Sequence, residues 1–220
     1  MRPGARPLEQ KANELKSTFK SRKSSALLCV FLFARPESKQ SEAILKNLAY
    51  LNERAGDWID ISCPGYTLIA SENDRSDEPI ATVDNKTWFF DVKAFTQFVE
   101  ELETKSKWRY LGGVEILLIN SKQKSLNANV EFDFLNAIHC KLDSMLDDGV
   151  VSTSNEFLEF LIQYCKENDN QTTAGFVKKV GGKAVRYSLW MTLLSLLPKS
   201  IAEQGKNMSH YLLRDFKNAT

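Results

Sequence analysis

With 220 residues, 43% of them hydrophobic and 26% charged, the chain is long enough for one sizeable core and too apolar for wholesale disorder. The net charge of +1 hides an asymmetry: residues 1–25 carry seven Lys/Arg against two acids, residues 177–220 carry eight against two, and the middle keeps a formal charge of −10. Basic ends of this kind meet an anionic partner or neutralise their own centre; the four widely spaced cysteines, with no CxxC pair, resemble neither a small disulfide scaffold nor a paired zinc-ligand set.

Residues 8–22 read as a short basic helix with a thin apolar stripe of Leu8, Leu15 and Phe19. "ALLCVFLFA", Ala26 to Ala34, is continuously apolar and stopped by Arg35-Pro36, the pattern of a central strand buried on both faces. Ser38 offers an N-cap, and Ile44, Leu45, Leu48 and Leu51 recur at helical spacing until Gly56 stops the helix. "WIDIS" follows as a second strand, so a parallel strand-helix-strand crossover is expected.

Residues 71–79 are polar and turn-rich. "IATVDNKTWFF" reads as two short strands around Asp84-Asn85, Asp91 caps a helix with Val92, Phe95, Val99 and Leu102 on one face, and Gly112-Gly113 precede the strand "VEILLIN". This order predicts a second strand-helix-strand unit. From Val130 two readings stay open, a strand entering a helix or one helix throughout, and the spacing of Leu135, Ile138, Leu142 and Leu146 places His139-Cys140 in a helix. Thr153 and Glu156 match a capping box before "FLEFLIQYCKEN", and the tail from Thr172 reads as two or three more helices. The expected fold is α/β: a parallel or mixed sheet of four to five strands with flanking helices. A basic segment (1–25) precedes this domain (26–150), and a helical C-terminal extension (151–220) follows it.

"DWIDISCPGYTLIA", Asp57 to Ala70, is the most suggestive site. Strand alternation puts Cys63 with the apolar Ile59 and Ile61, while Pro64-Gly65 suit the centre of a tight turn. Asp60 is unexpected in a strand, and Arg54 just upstream is its expected ion partner. If the strands are parallel, Asp60 to Tyr66 approach their carboxyl edge, where open α/β sheets bind ligands. Arg54, Asp60, Gly65 and Tyr66 are therefore the candidate ligand-binding residues, with Cys63 or Ser62 nearby, and no catalytic residue is assigned.

Neither Gly112-Gly113 nor Gly181-Gly182-Lys183 has phosphate-loop spacing, and GxGxxG, HExxH and GxSxG are absent. No metal site or other cofactor is expected. "FVKKVGGKAVRYSLWMTLLSLLPK", Phe176 to Lys199, joins a basic part to an apolar-aromatic part. It suits packing on the sheet, docking on a partner or adsorption to an anionic membrane. Lys178, Lys179, Arg186 and Trp190 are its candidate partner contacts. Its apolar run of ten residues is half the roughly 20 needed to cross a bilayer, and the N-terminus has no apolar core of a signal peptide. Nucleic acid is a possible partner without a binding motif to support it.

"YLNERAGDWIDISCPGY" (50–66) and "WRYLGGVEILLIN" (108–120) are similar to segments of uncharacterised bacterial proteins associated with multicomponent anti-phage defence loci. The resemblance implies a cytoplasmic bacterial protein working beside other components, and it carries no assigned catalytic residues. The leading expectation is a protein-binding or adaptor module of a cytoplasmic assembly. The alternatives are an enzyme with its pocket at the 60–66 strand edge and a peripheral membrane effector using 176–199.

Overall fold

The computed structural model of the chain describes residues 2–3, 8–21, 26–68, 79–83, 86–125, 128–167 and 212–214. β2 (Ala26–Phe33) is the central strand, and all eight of its residues are buried. It runs parallel to β3 (Ile59–Cys63) on one side and antiparallel to β7 (Glu115–Gln123) on the other. The continuous apolar run is thereby explained: one set of side chains faces each side of the sheet, and neither side meets water. β1 (Arg2–Pro3) flanks β3, and β8 (Val130–Lys141) and β9 (Leu212–Arg214) follow β7. The result is a mixed six-stranded sheet of order β1-β3-β2-β7-β8-β9. The expected α/β class and mixed sheet hold, with two very short edge strands added.

The β2-to-β3 connection is the expected parallel crossover, but its helix is broken in two. α2 (Lys39–Lys46) starts at the N-cap Ser38, whose side chain accepts from Gln40 N. Asn47 ends it, donating its backbone N–H to Ile44 O and Leu45 O and its side-chain amide to Ala43 O at 2.9 Å. Its own carbonyl then opens α3 (Leu48–Ala55) by accepting from Leu51 N. An asparagine that bonds the backbone on both sides competes with continuous helix, which apolar spacing alone does not reveal. Gly56, at φ 48°, closes α3 as expected.

β5 (Pro79–Val83) and β6 (Lys86–Phe90) form the expected hairpin. It joins β4 (Tyr66–Thr67) in a separate three-stranded sheet rather than entering the main one. The second strand-helix-strand unit is corrected accordingly: α4 (Val92–Lys105) links β6 to β7 across two sheets, and β7 is antiparallel to β2. Asp91 caps α4 by accepting from Ala94 N at 2.8 Å. The buried stripe is Phe95, Phe98, Val99 and Leu102, whereas Val92 is 53% exposed.

β8 is a strand through Lys141 and turns into α5 (Leu142–Asp147) only there, so His139-Cys140 lie in a strand and not in a helix. Eight residues of this twelve-residue strand pair with β7, which outweighs the helical spacing of its apolar residues. Between the pairs Leu118↔Ile138 and Asn120↔Asp133, β7 has the single residue Ile119, while β8 accommodates residues 134–137. The irregularity bends β8 and leaves Leu135 41% exposed.

α6 (Ser154–Glu167) opens where the capping box was expected, with Thr153 Oγ1 accepting from Glu156 N at 3.0 Å. Of the helices expected after Thr172, residues 168–211 and 215–220 lie outside the described residues, and 212–214 form β9.

α1 (Leu8–Ser21) and α4 pack together on one face. There Phe31 lies 5.2 Å from Phe98, and Phe33 lies 4.6 Å from Trp108, centroid to centroid. α2, α3 and α6 pack against one another, supplying Ile44, Leu45, Leu51 and Phe157 to the core. Among the described residues, no helix is long and apolar enough to cross a membrane.

Candidate functional site

At the 60–66 edge, Asp60 points from β3 beneath α1 and not toward Arg54. Its carboxylate Oδ2 lies 2.5 Å from Lys11 Nζ, with both side chains under 10% exposed, and it accepts a hydrogen bond from Ser62 Oγ at 3.2 Å. The expected Arg54–Asp60 pair is therefore corrected. Arg54, on α3, faces α6 and pairs with Glu159 at 3.4 Å. Lys11 was hidden in the sequence by the charge of its helix, yet it falls in register with the buried Leu8, Leu15 and Phe19. A lysine on an apolar stripe is the signal that would have pointed to a buried partner.

The rest of the edge is packed shut. Cys63 is 3% exposed, and burial pushes its thiol up from the ordinary 9.0 to about 12, so it is a core residue and a poor nucleophile. Gly65 holds φ 87°, and a Cβ there would stand 2.5 Å from the Phe90 ring. Tyr66 is 2% exposed and donates its hydroxyl to Ala34 O at 2.8 Å. Gly65 and Tyr66 both pack on Phe90 past the end of β3, whereas Asp60 lies against Lys11 of α1 and Arg54 against Glu159 of α6, so the four residues do not form one site.

Cys29, Cys140 and His139 are also withdrawn. Burial raises the Cys29 thiol to about 12, with the Asp60 carboxylate adding to the effect, and it raises Cys140 as well. His139 Nε2 lies 2.7 Å from Glu115 Oε2, both inside the core, with Trp108 edge-on to the imidazole. Glu115 Oε1 accepts from Leu111 N at 2.7 Å, so this pair ties the 111–114 turn to β7 and β8. Among the described residues, no group of three or more His, Cys, Asp or Glu is arranged to hold a metal ion. Lys178, Lys179, Arg186 and Trp190 lie outside the described residues.

Among the described residues, a groove of about 480 Å³ opens to solvent between α1 and the first half of β8. Its floor is Val130, Phe132 and Phe134, the alternate residues of one strand face, and its wall is the α1 row Leu8, Ala12 and Lys16 with Glu9 and Asn13. Lys105 of α4 stands near the Leu8 end, where Glu101 accepts from both Lys105 and Leu8 N. Lys16 marks the other end and donates to Asn129 Oδ1 at 3.0 Å. The alternation of Val130, Phe132 and Phe134 is legible in the sequence, but nothing there says that α1 stands beside it.

Comparison of the chain with protein-family models, curated proteins and solved structures finds no match.

Proposed function

We propose that this chain is a protein-binding module of a multicomponent assembly. The observation that carries the reading is the α1/β8 groove, a half-open channel with an apolar floor and charged walls, in a region where two phenylalanines remain only partly covered. Partly buried aromatic anchors with polar surroundings are what protein interfaces are built on. The contrast with the 60–66 edge supports the same choice: a catalytic pocket needs room and a titratable group in reach of substrate, and there Tyr66, Cys63 and Phe90 fill the space. The setting we propose, a bacterial cytoplasm and an anti-phage defence assembly, rests on the likeness of residues 50–66 and 108–120 to proteins of such loci.

Phe134→Asp tests the reading, because it puts a charge on the groove floor without touching the buried pairs. The variant is expected to melt within a few degrees of the parent and to lose both recovery of the partner subunit and protection against phage. An equally folded Phe134→Asp protein that keeps both, beside an Asp60→Asn or Cys63→Ser protein that folds and loses both, would move the function to the 60–66 edge.

A further inference from the structure

Resting on the protein-binding reading, we infer that the α1/β8 groove seats an amphipathic helix of a partner protein. The seated helix runs antiparallel to α1, with an acidic residue in its first turn and a basic residue about two turns later.

A helix fits better than a strand for two reasons. The wall is an i, i+4 row of α1 with the small Ala12 at its centre, the kind of ridge against which a second helix packs at 8–10 Å. Strand addition would instead use the outer edge of β8, and the irregular residues 134–137 interrupt that edge beside the groove. From Leu8 to Lys16 the wall spans about 12 Å, two helical turns, so two apolar side chains four residues apart reach Phe132 and Phe134.

Charge sets the direction. Lys105 is paired with Glu101, and Glu131 with Lys124, so these rim residues are locally balanced. Among the described residues, Lys16 meets only the neutral amide of Asn129 and Glu9 has no cationic partner. The groove is therefore positive at the Lys16 end and negative at the Glu9 end. A helix entering with its N-terminus toward Lys16 sets an acidic first turn against that lysine and a basic last turn against Glu9. This is also the charge placement that stabilises a helix against its own dipole, and it sets the two helix dipoles antiparallel.

The probe is a fluorescein-labelled 16-residue helical peptide with leucines at i, i+4 and i+8, glutamates in the first turn and lysines two turns later. Its anisotropy is read against the full chain at low and moderate salt. Binding to the wild type is expected, weakened at least tenfold by Phe134→Asp and by Ala12→Gln, which fills the wall. The exchange Glu9→Lys with Lys16→Glu is expected to weaken it at least fivefold, with the difference shrinking as salt rises. The Ala12→Gln variant keeps the test valid if Phe134→Asp does not fold. If the charge exchange leaves binding unchanged while Phe134→Asp and Ala12→Gln abolish it, the orientation is overturned and the binding module stands. If the wild type binds no peptide at millimolar concentration, the helix is overturned. If binding appears only in Trp190→Ala, the occupant is the chain's own C-terminal segment, and the partner assignment is overturned. Failure of the underlying reading shows elsewhere, as partner recovery that Phe134→Asp does not change.

Discussion

Lys11 and Asp60 are 49 positions apart in the sequence and meet with Nζ 2.5 Å from Oδ2, where the buried face of α1 packs on β3. The pair is the polar tie between α1 and the sheet. Breaking it is expected to cost more than the pair itself contributes, because the surviving charge keeps its burial and loses its counterion. Lys11→Met should destabilise the protein by about 3–5 kcal/mol in urea unfolding. Adding Asp60→Leu should restore most of that loss. A double variant no more stable than Lys11→Met would show that the pair does not hold α1.

Gly65 allows a second test of packing at the edge once read as a pocket. Alanine there must adopt φ 87° and place its Cβ 2.5 Å from the Phe90 ring. Strained backbone and overpacking each cost roughly 1–3 kcal/mol, so Gly65→Ala should lose at least about 2 kcal/mol. A midpoint unchanged in denaturant would mean that the turn has the room a substrate needs.

Thiol accessibility separates a core cysteine from a nucleophile. Cys29, Cys63 and Cys140 are buried, and Cys165 on α6 is only partly so. Native protein treated with a maleimide near pH 7 should gain one adduct, at Cys165, and four after unfolding, as read by mass spectrometry. Cys63→Ser should cost about 1 kcal/mol by placing a hydroxyl in an apolar site. Rapid native labelling of Cys63 would reject its core role.

Alkaline pH reads the same burial thermodynamically. The thiols of Cys29 and Cys63 are held up at about 12 in the folded chain against an ordinary 9.0. The unfolded chain releases these protons first, so stability is fully present below pH 9 and is lost as pH rises from 9 toward 12. Each thiol contributes a slope of up to about 1.4 kcal/mol per pH unit in that window. Cys63→Ala should therefore show a shallower decline than the parent in unfolding titrations between pH 8.5 and 10.5. Parallel declines in the two proteins would contradict the burial of Cys63.

Much of this fold was legible because its strongest signals are local. The apolar run of β2, the caps Ser38, Asp91 and Thr153, the stop at Gly56 and the Pro64-Gly65 turn each depend on a few neighbouring residues, and each appears where the sequence put it. Alternation likewise assigned Cys63 to the core before any packing was known. What the sequence left open were choices between partners. Arg54 and Lys11 are both cations that could answer Asp60, and only the crossing of α1 over the sheet selects Lys11 while turning Arg54 to Glu159. The β5–β6 hairpin reads the same whether it joins the main sheet or pairs with β4. Residues 130–141 fit helical spacing and strand alternation together until β7 pairs with both ends of the segment, 130–133 and 138–141. The groove is the extreme case, since Phe134 and Lys16 are separated by more than a hundred residues and become one surface only when α1 lies beside β8. Local backbone preference is carried by adjacent residues, whereas burial, ion pairing and surface shape depend on which distant elements the core brings into contact.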